Sequence, residues 1–219
     1  MTKIFSQPKT LTLSIVASAL LISGSAFAKG KPDDTPFAPG KPGDATIVEI
    51  AIDVNDGGDG EFNALLGVVG CFGPLTTIPG DNPIIDLLNG EDKYTLFAPV
   101  DDAFTALLDR LDVVDPCVEL IEDESDPLAS TLFTVLAYHV VDGRRFSNSV
   151  FNANSAKMIE TLAEVDITSY TDMDGKPFLT DVDGQTVGIV APLFNLNASN
   201  GVIHVVDTVL LPIDLPDEE

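Results

Sequence analysis

Two histidines, two cysteines and a surplus of carboxylates are the chemical raw material of this chain: its 219 residues hold 35 Asp and Glu against 11 Lys and Arg, and no Trp. His139 ends a helical pattern, and His204 stands inside the β-branched run Val202 to Leu211. Two histidines in different elements do not form a triad, and the chain has no G-x-S-x-G, Walker or H-E-x-x-H pattern. So few His and Cys also leave little for a protein-only zinc site. The expectation is therefore a non-enzyme with no catalytic, cofactor-binding or metal residues assigned. An imidazole within an apolar strand needs a hydrogen-bond partner. Asp101 is the candidate partner of His204, which reads as a satisfied core histidine, with ligand binding as the other reading.

Cys71 and Cys117 are an even pair, which in an oxidising compartment points to a disulfide; two separate buried thiols are the alternative. Among the acids, Asp53-Val54-Asn55-Asp56-Gly57-Gly58-Asp59-Gly60-Glu61 looks like a calcium loop. Gly58 fits the glycine position, but Gly57 replaces a ligand and Ala64 stands where a bidentate Glu is needed, so the match fails. Asp172, Asp174, Asp181 and Asp183 flank a hairpin pattern. Weak calcium binding and plain solvation are both open for these loops.

Hydrophobic spacing indicates the elements that must carry these groups. Thr46 to Val54 fits a helix or a strand. Phe62, Leu65, Leu66 and Val69 share a helical face, and Ile84, Leu87 and Leu88 form another after Pro83, which suits a first turn. Tyr94 to Ala98 is a short strand, followed by a helix bearing Phe104, Leu107, Leu108 and Leu111. Leu128 to Val141 is the longest helical pattern. Beyond Gly143 the texture turns to strands, with Asp174-Gly175 and Asp183-Gly184 as hairpin turns and Val202 to Leu211 as a buried central strand. Helices early and strands late predict an α+β fold.

Residues 1–28 carry two lysines, an apolar stretch and Ala26-Phe27-Ala28, the order of a cleavable signal peptide; a retained membrane anchor is the alternative. Residues 29–44 are a Pro/Gly-rich tether, 45–212 one domain, and 213–219 an acidic tail. The net charge of −24 becomes more negative once the signal, which holds bases and no acids, is removed. Such a surface repels phosphate backbones and anionic lipid, excluding nucleic-acid partners and membrane binding through basic patches. No membrane insertion is expected after signal removal. Asn197-Ala198-Ser199 is an N-glycosylation sequon.

Tyr94-Thr95-Leu96-Phe97-Ala98-Pro99-Val100-Asp101-Asp102-Ala103-Phe104 resembles the first signature segment of the fasciclin (FAS1) family. Asn200-Gly201-Val202-Ile203-His204-Val205-Val206-Asp207-Thr208-Val209-Leu210-Leu211-Pro212 resembles the second, and Leu136-Ala137-Tyr138-His139-Val140-Val141-Asp142-Gly143 the Tyr-His segment between them. The resemblance implies a β-wedge of two packed sheets with helices at its edge. It further implies a secreted adhesion or matrix-interaction module whose partner is an extracellular or cell-surface protein or polysaccharide. Tyr138 and His139 are the candidate contact residues by the same analogy, with a structural role as the other reading. Asp101 and His204 are assigned structural roles. Val100 departs from the family's polar residue, which would move the helix-capping role to Asp101. The stretch from Cys71 to Asn89 and the acidic loop 115–126 look inserted. Gly201 is expected to take a positive φ at the entry to the last strand. An extracytoplasmic ligand-binding protein or enzyme, using a pocket between wedge and helices, is the competing function.

Overall fold

The computed structural model describes residues 44–56, 61–73, 82–111, 113, 127–152 and 155–213. Residues 1–43, where the signal peptide and most of the tether are expected, lie outside the described residues, as do Cys117, residues 114–126 and residues 214–219.

Local chemistry starts each early helix. Helix α1 (Ile47–Val54) resolves the ambiguity of its sequence through a capping box: the Thr46 side chain accepts from Glu49 N–H, and Glu49 Oε2 accepts from Thr46 N–H at 2.8 Å. Helix α2 (Asn63–Cys71) follows, then α3 (Pro83–Asn89), in which Asn82 caps the N–H groups of Ile84 and Ile85 and Pro83 takes the first turn. Strand β1 (Tyr94–Pro99) is buried at every position and runs into α4 (Asp101–Arg110). The long helical pattern yields α5 (Pro127–Tyr138) but stops before its expected end, because Val140–Asp142 leaves the helix as strand β2 and pairs with β1. A short helix, α6 (Ser147–Val150), precedes strands β3 (Lys157–Glu160), β4 (Asp166–Thr171), β5 (Pro177–Thr180), β6 (Thr186–Ala198) and β7 (Gly201–Val206). Gly175 and Gly184 take φ of 82° and 79° in the β4–β5 and β5–β6 turns, the conformation that their Asp-Gly dipeptides favour.

The fold is α+β. Its described strands form one seven-stranded sheet in the order β2-β1-β7-β6-β5-β4-β3, where a β-wedge of two packed sheets was expected. The long strand β6 makes the sheet continuous: residues 186–188 pair with β5, and residues 189–198 pair with β7. Register shifts around Phe194, and Asn195 at φ 58°, bend the strand between those two pairings. The sheet thereby curls, and Leu162 N–H, just past β3, donates to the Val140 carbonyl of β2 at 2.8 Å. Strand β7 lies between β1, which it pairs in parallel, and β6, and all six of its residues are buried as expected of a central strand, but it ends at Val206 rather than at the expected Leu211.

Two apolar clusters result. One lies between sheet and helices and includes Ile47, Phe62, Ile85, Phe104 and Ile203. The other fills the curl and joins Phe97, Tyr138, Ile159, Leu179 and Val206. Phe97 and Phe104, on either side of the strand-to-helix turn, are fully buried in different clusters.

Gly201 is not at positive φ, contrary to expectation. Its need for glycine is steric: a Cβ would lie 2.2 Å from the Tyr94 carbonyl oxygen and 2.4 Å from Ile47 Cδ1. The glycine lets α1 and β1 close over the start of β7.

Candidate functional site

The Tyr-His segment sits where α5 ends and β2 begins, and its side chains turn inward. Tyr138 is fully buried and its hydroxyl donates to the Asp166 carbonyl at 2.9 Å. Burial, with the Asp181 carboxylate nearby, raises its pKa. His139 is buried as well. Its Nδ1 lies 2.7 Å from the Val135 carbonyl oxygen and its Nε2 2.9 Å from Leu210 N–H. A carbonyl can only accept, so Nδ1 carries the proton and Nε2 accepts from Leu210. The imidazole is neutral by geometry, and burial pushes its pKa down to about 4. Tyr138 and His139 are both interior groups that fasten other elements, which favours the structural one of their two readings.

His204 also fails to meet its expected partner. Its Nε2–H donates to the Arg145 carbonyl at 2.9 Å, and Nδ1 accepts from Asn195 N–H at 3.4 Å. Phe97 stacks on the ring with centroids 5.6 Å apart, and Phe151 meets it edge-on. Burial lowers this histidine to about 4 as well. Asp101 is engaged elsewhere. It is the first residue of α4, whose N-cap position, Val100, makes no side-chain cap. The Asp101 carboxylate instead accepts from Ala64 N–H at 2.7 Å and from Asn63 Nδ2 at 3.0 Å, capping the start of α2. The expected Asp101–His204 pair and the expected capping of α4 are both replaced by this cap between helices, because Phe62, at the N-cap position of α2, supplies no side-chain cap.

Three buried polar residues, Asn200, Asn82 and Asp181, do related work. Asn200 accepts from Ile47 N–H at 2.9 Å and donates to the carbonyls of Leu88 and Gly90, tying α1 and α3 to the start of β7. Asn82 adds to its capping role two donations, to the carbonyls of Val69 and Gly73. Asp181 accepts from Leu211 N–H and from the backbone and side chain of Gln185, each at 2.9 Å. The Asn82-Pro83 pair carried a readable capping signal. The other two roles are long-range and left no local trace. His139 and Asp181 together hold the backbone of Leu210 and Leu211, which gives the segment after β7 a fixed position.

The acids of the second half do not converge. Asp172 lies at the β4–β5 turn, accepting from Asp174 N–H and Lys176 N–H, while Asp181 and Asp183 lie at the other end of β5. Asp183 is held in a two-point pair by Arg110, at 2.7 and 3.3 Å. Among the described residues no three His, Cys, Asp or Glu are placed to share a cation. Residues 57–60 of the calcium-like loop lie outside the described residues. Cys71 is the last residue of α2 and is not a free cysteine, but Cys117 lies outside the described residues, so the bridge between them is a proposal. Asn197 of the sequon stands within β6 with its Oδ1 buried, which opposes modification.

Between the helices and the sheet lies an apolar cavity of about 40 Å³, with His139 at its wall and no polar surface. That is water-sized, against the roughly 300–1,000 Å³ of small-molecule sites. Among the described residues no helix is long and apolar enough to cross a membrane.

A family model described as Fasciclin domain matches residues 81–212. Protein sll1483 of Synechocystis sp. is 31% identical over 167 residues, covering 76% of this chain and 73% of its own length. The solved structure of a FAS1 domain pair from the insect cell adhesion molecule Fasciclin I aligns with a TM-score of 0.50 at 14% identity. That alignment covers 76% of this chain and 51% of the pair, so this chain spans about half the length of the solved one, and the likeness concerns the fold alone.

Proposed function

This chain belongs to the fasciclin domain family, and from that premise we propose that it is a secreted, non-enzymatic adhesion or extracellular interaction module. The observation that carries the reading is the family match across residues 81–212. The architecture supports it in a second way. The residues that make up the signature segments, among them Phe97, Tyr138, His139, Gly201 and His204, are spent on packing and backbone tethering. Chemistry toward a partner then falls to the loops and helix surfaces. The competing reading, a ligand pocket between wedge and helices, meets a water-sized apolar cavity there among the described residues.

Export by the first 28 residues belongs to the same proposal, and the secreted protein should begin at Lys29. The partner is proposed to be an extracellular or cell-surface protein or polysaccharide. The test is adhesion of beads coated with the secreted protein to cells and to matrix-coated surfaces, beside beads coated with an unrelated protein of similar charge. Selective, saturable adhesion is the expected result. Adhesion no stronger than that of the acidic control would overturn the reading.

A further inference from the structure

A cleft of about 210 Å³ runs between α4 and the segment that follows β7. Ala103, Ala106 and Leu107 of α4 face Val209 and Leu211 across it, giving an apolar floor. Asp102 and Asp207 stand at its rim. Arg110 is the cationic residue of the lining, and it is already matched by Asp183 in the two-point pair. Asp102 is exposed and makes no hydrogen bond to the described residues. Asp207 spends one oxygen, Oδ1, accepting from Gly188 N–H at 2.8 Å and from the Thr208 hydroxyl at 3.1 Å. Gly188 leaves room for the other oxygen, since a Cβ there would sit 2.3 Å from Asp207 Oδ2. The far wall is rigid: His139 holds Leu210, and Asp181 holds Leu211.

We propose that this cleft receives a lysine or arginine side chain presented by a protein partner. Three observations select that occupant. The volume falls below the roughly 300–1,000 Å³ that whole small ligands fill, so it fits a side chain. The apolar floor suits a methylene stem, which long cationic side chains bury while their charge stays at the wet rim. The charge there, Asp102 and Asp207 beyond the matched Arg110–Asp183 pair, is complementary to a cation, and the −24 field of the chain draws cations toward it. The inference deepens the interaction-module reading and rests on it, naming a basic protein as the partner class.

The experiment titrates the secreted protein with a short trilysine peptide at physiological ionic strength, followed by amide chemical shifts. Two companion peptides dissect the side chain: norleucine keeps the stem without charge, and diaminopropionate keeps the charge without the stem. Shifts should centre on Asp102, Ala106, Arg110 and Thr208, and both companions should bind more weakly than the lysine peptide. Ala106→Leu fills an exposed floor position with a good helix former and should weaken binding about tenfold while the melting curve is unchanged. Asp102→Asn should weaken it several-fold. Asp53→Asn, an equal charge change on the exposed face of α1, should leave it within about twofold. Equal losses in Asp102→Asn and Asp53→Asn would mean a diffuse field and overturn the cleft, as would unchanged binding in Ala106→Leu. If Ala106→Leu beads adhere as well as the native protein, the cleft proposal fails while the adhesion reading stands. If native beads do not adhere, the adhesion reading fails, and the peptide titration still decides the cleft.

Discussion

His139 and His204 are each fixed in a neutral form by one bond given and one received, and that makes them acid-sensitive. A second proton on His139 Nε2 would turn the acceptor of Leu210 N–H into a donor facing a donor. The same happens at His204 Nδ1 facing Asn195 N–H. Both folded pKa values, about 4, lie below the ordinary 6.5, so the unfolded chain binds protons that the folded chain refuses. The stability they contribute is complete above pH 6.5 and is lost as pH falls to about 4, roughly 3 kcal/mol for each histidine. Asp181 acts in the opposite direction: burial raises its pKa, so in acid the folded chain holds that proton more readily than the unfolded chain, offsetting part of the loss. Urea midpoints should therefore fall between neutral pH and pH 4, and the two imidazole resonances should keep neutral shifts down to about pH 5. An imidazole titrating near 6.5 in the folded state would overturn the assignment.

At the scale of elements, the junctions carry the most information. Asp101 ends the search for a cap at α2 by lending the carboxylate of a different helix, so Asp101→Ala should cost about 1–2 kcal/mol, read as a lower urea midpoint with an unchanged slope. Gly201→Ala should cost more, roughly 3 kcal/mol, because the new methyl meets the Tyr94 backbone, which cannot rotate away as a side chain can. Equal midpoints for Gly201→Ala and the native protein would refute the close approach. These two positions also mark the limit of what periodicity conveys. The strand β7, the helix α4 and both Asp-Gly turns were legible because apolar spacing and turn residues are local. The Asp101–Ala64 and His204–Arg145 bonds were not, because both span tens of residues and depend on which elements the fold brings together. The Tyr-His segment was legible as a segment, whereas its inward orientation came only with the helix end at Tyr138. The cleft beside α4 left no trace either, since Ala103, Ala106 and Val209 read as ordinary packing until two elements face each other.

For the molecule as a whole, charge and crosslinking set how the fold behaves in its medium. The Cys71–Cys117 bridge would close a loop of about 47 residues, a gain of about 4 kcal/mol in the chain-entropy view. Alkylation of the unreduced protein should add no mass, and any added mass would refute the bridge. The net charge of −24 works against compactness, since the acids crowd the solvated shell around a core that is apolar. Counterions relieve that repulsion once the screening length drops to about 10 Å, near 0.1 M salt. The melting temperature should therefore rise by several degrees from low to physiological NaCl and then level off. Calcium should do no better than sodium at equal ionic strength, because among the described residues Asp172, Asp181 and Asp183 already accept from protein donors and no three acids are placed to share a cation. A rise with calcium chloride well beyond that matched value, saturating at low concentration, would instead indicate a specific cation site and would return the acidic loops to the list of binding elements.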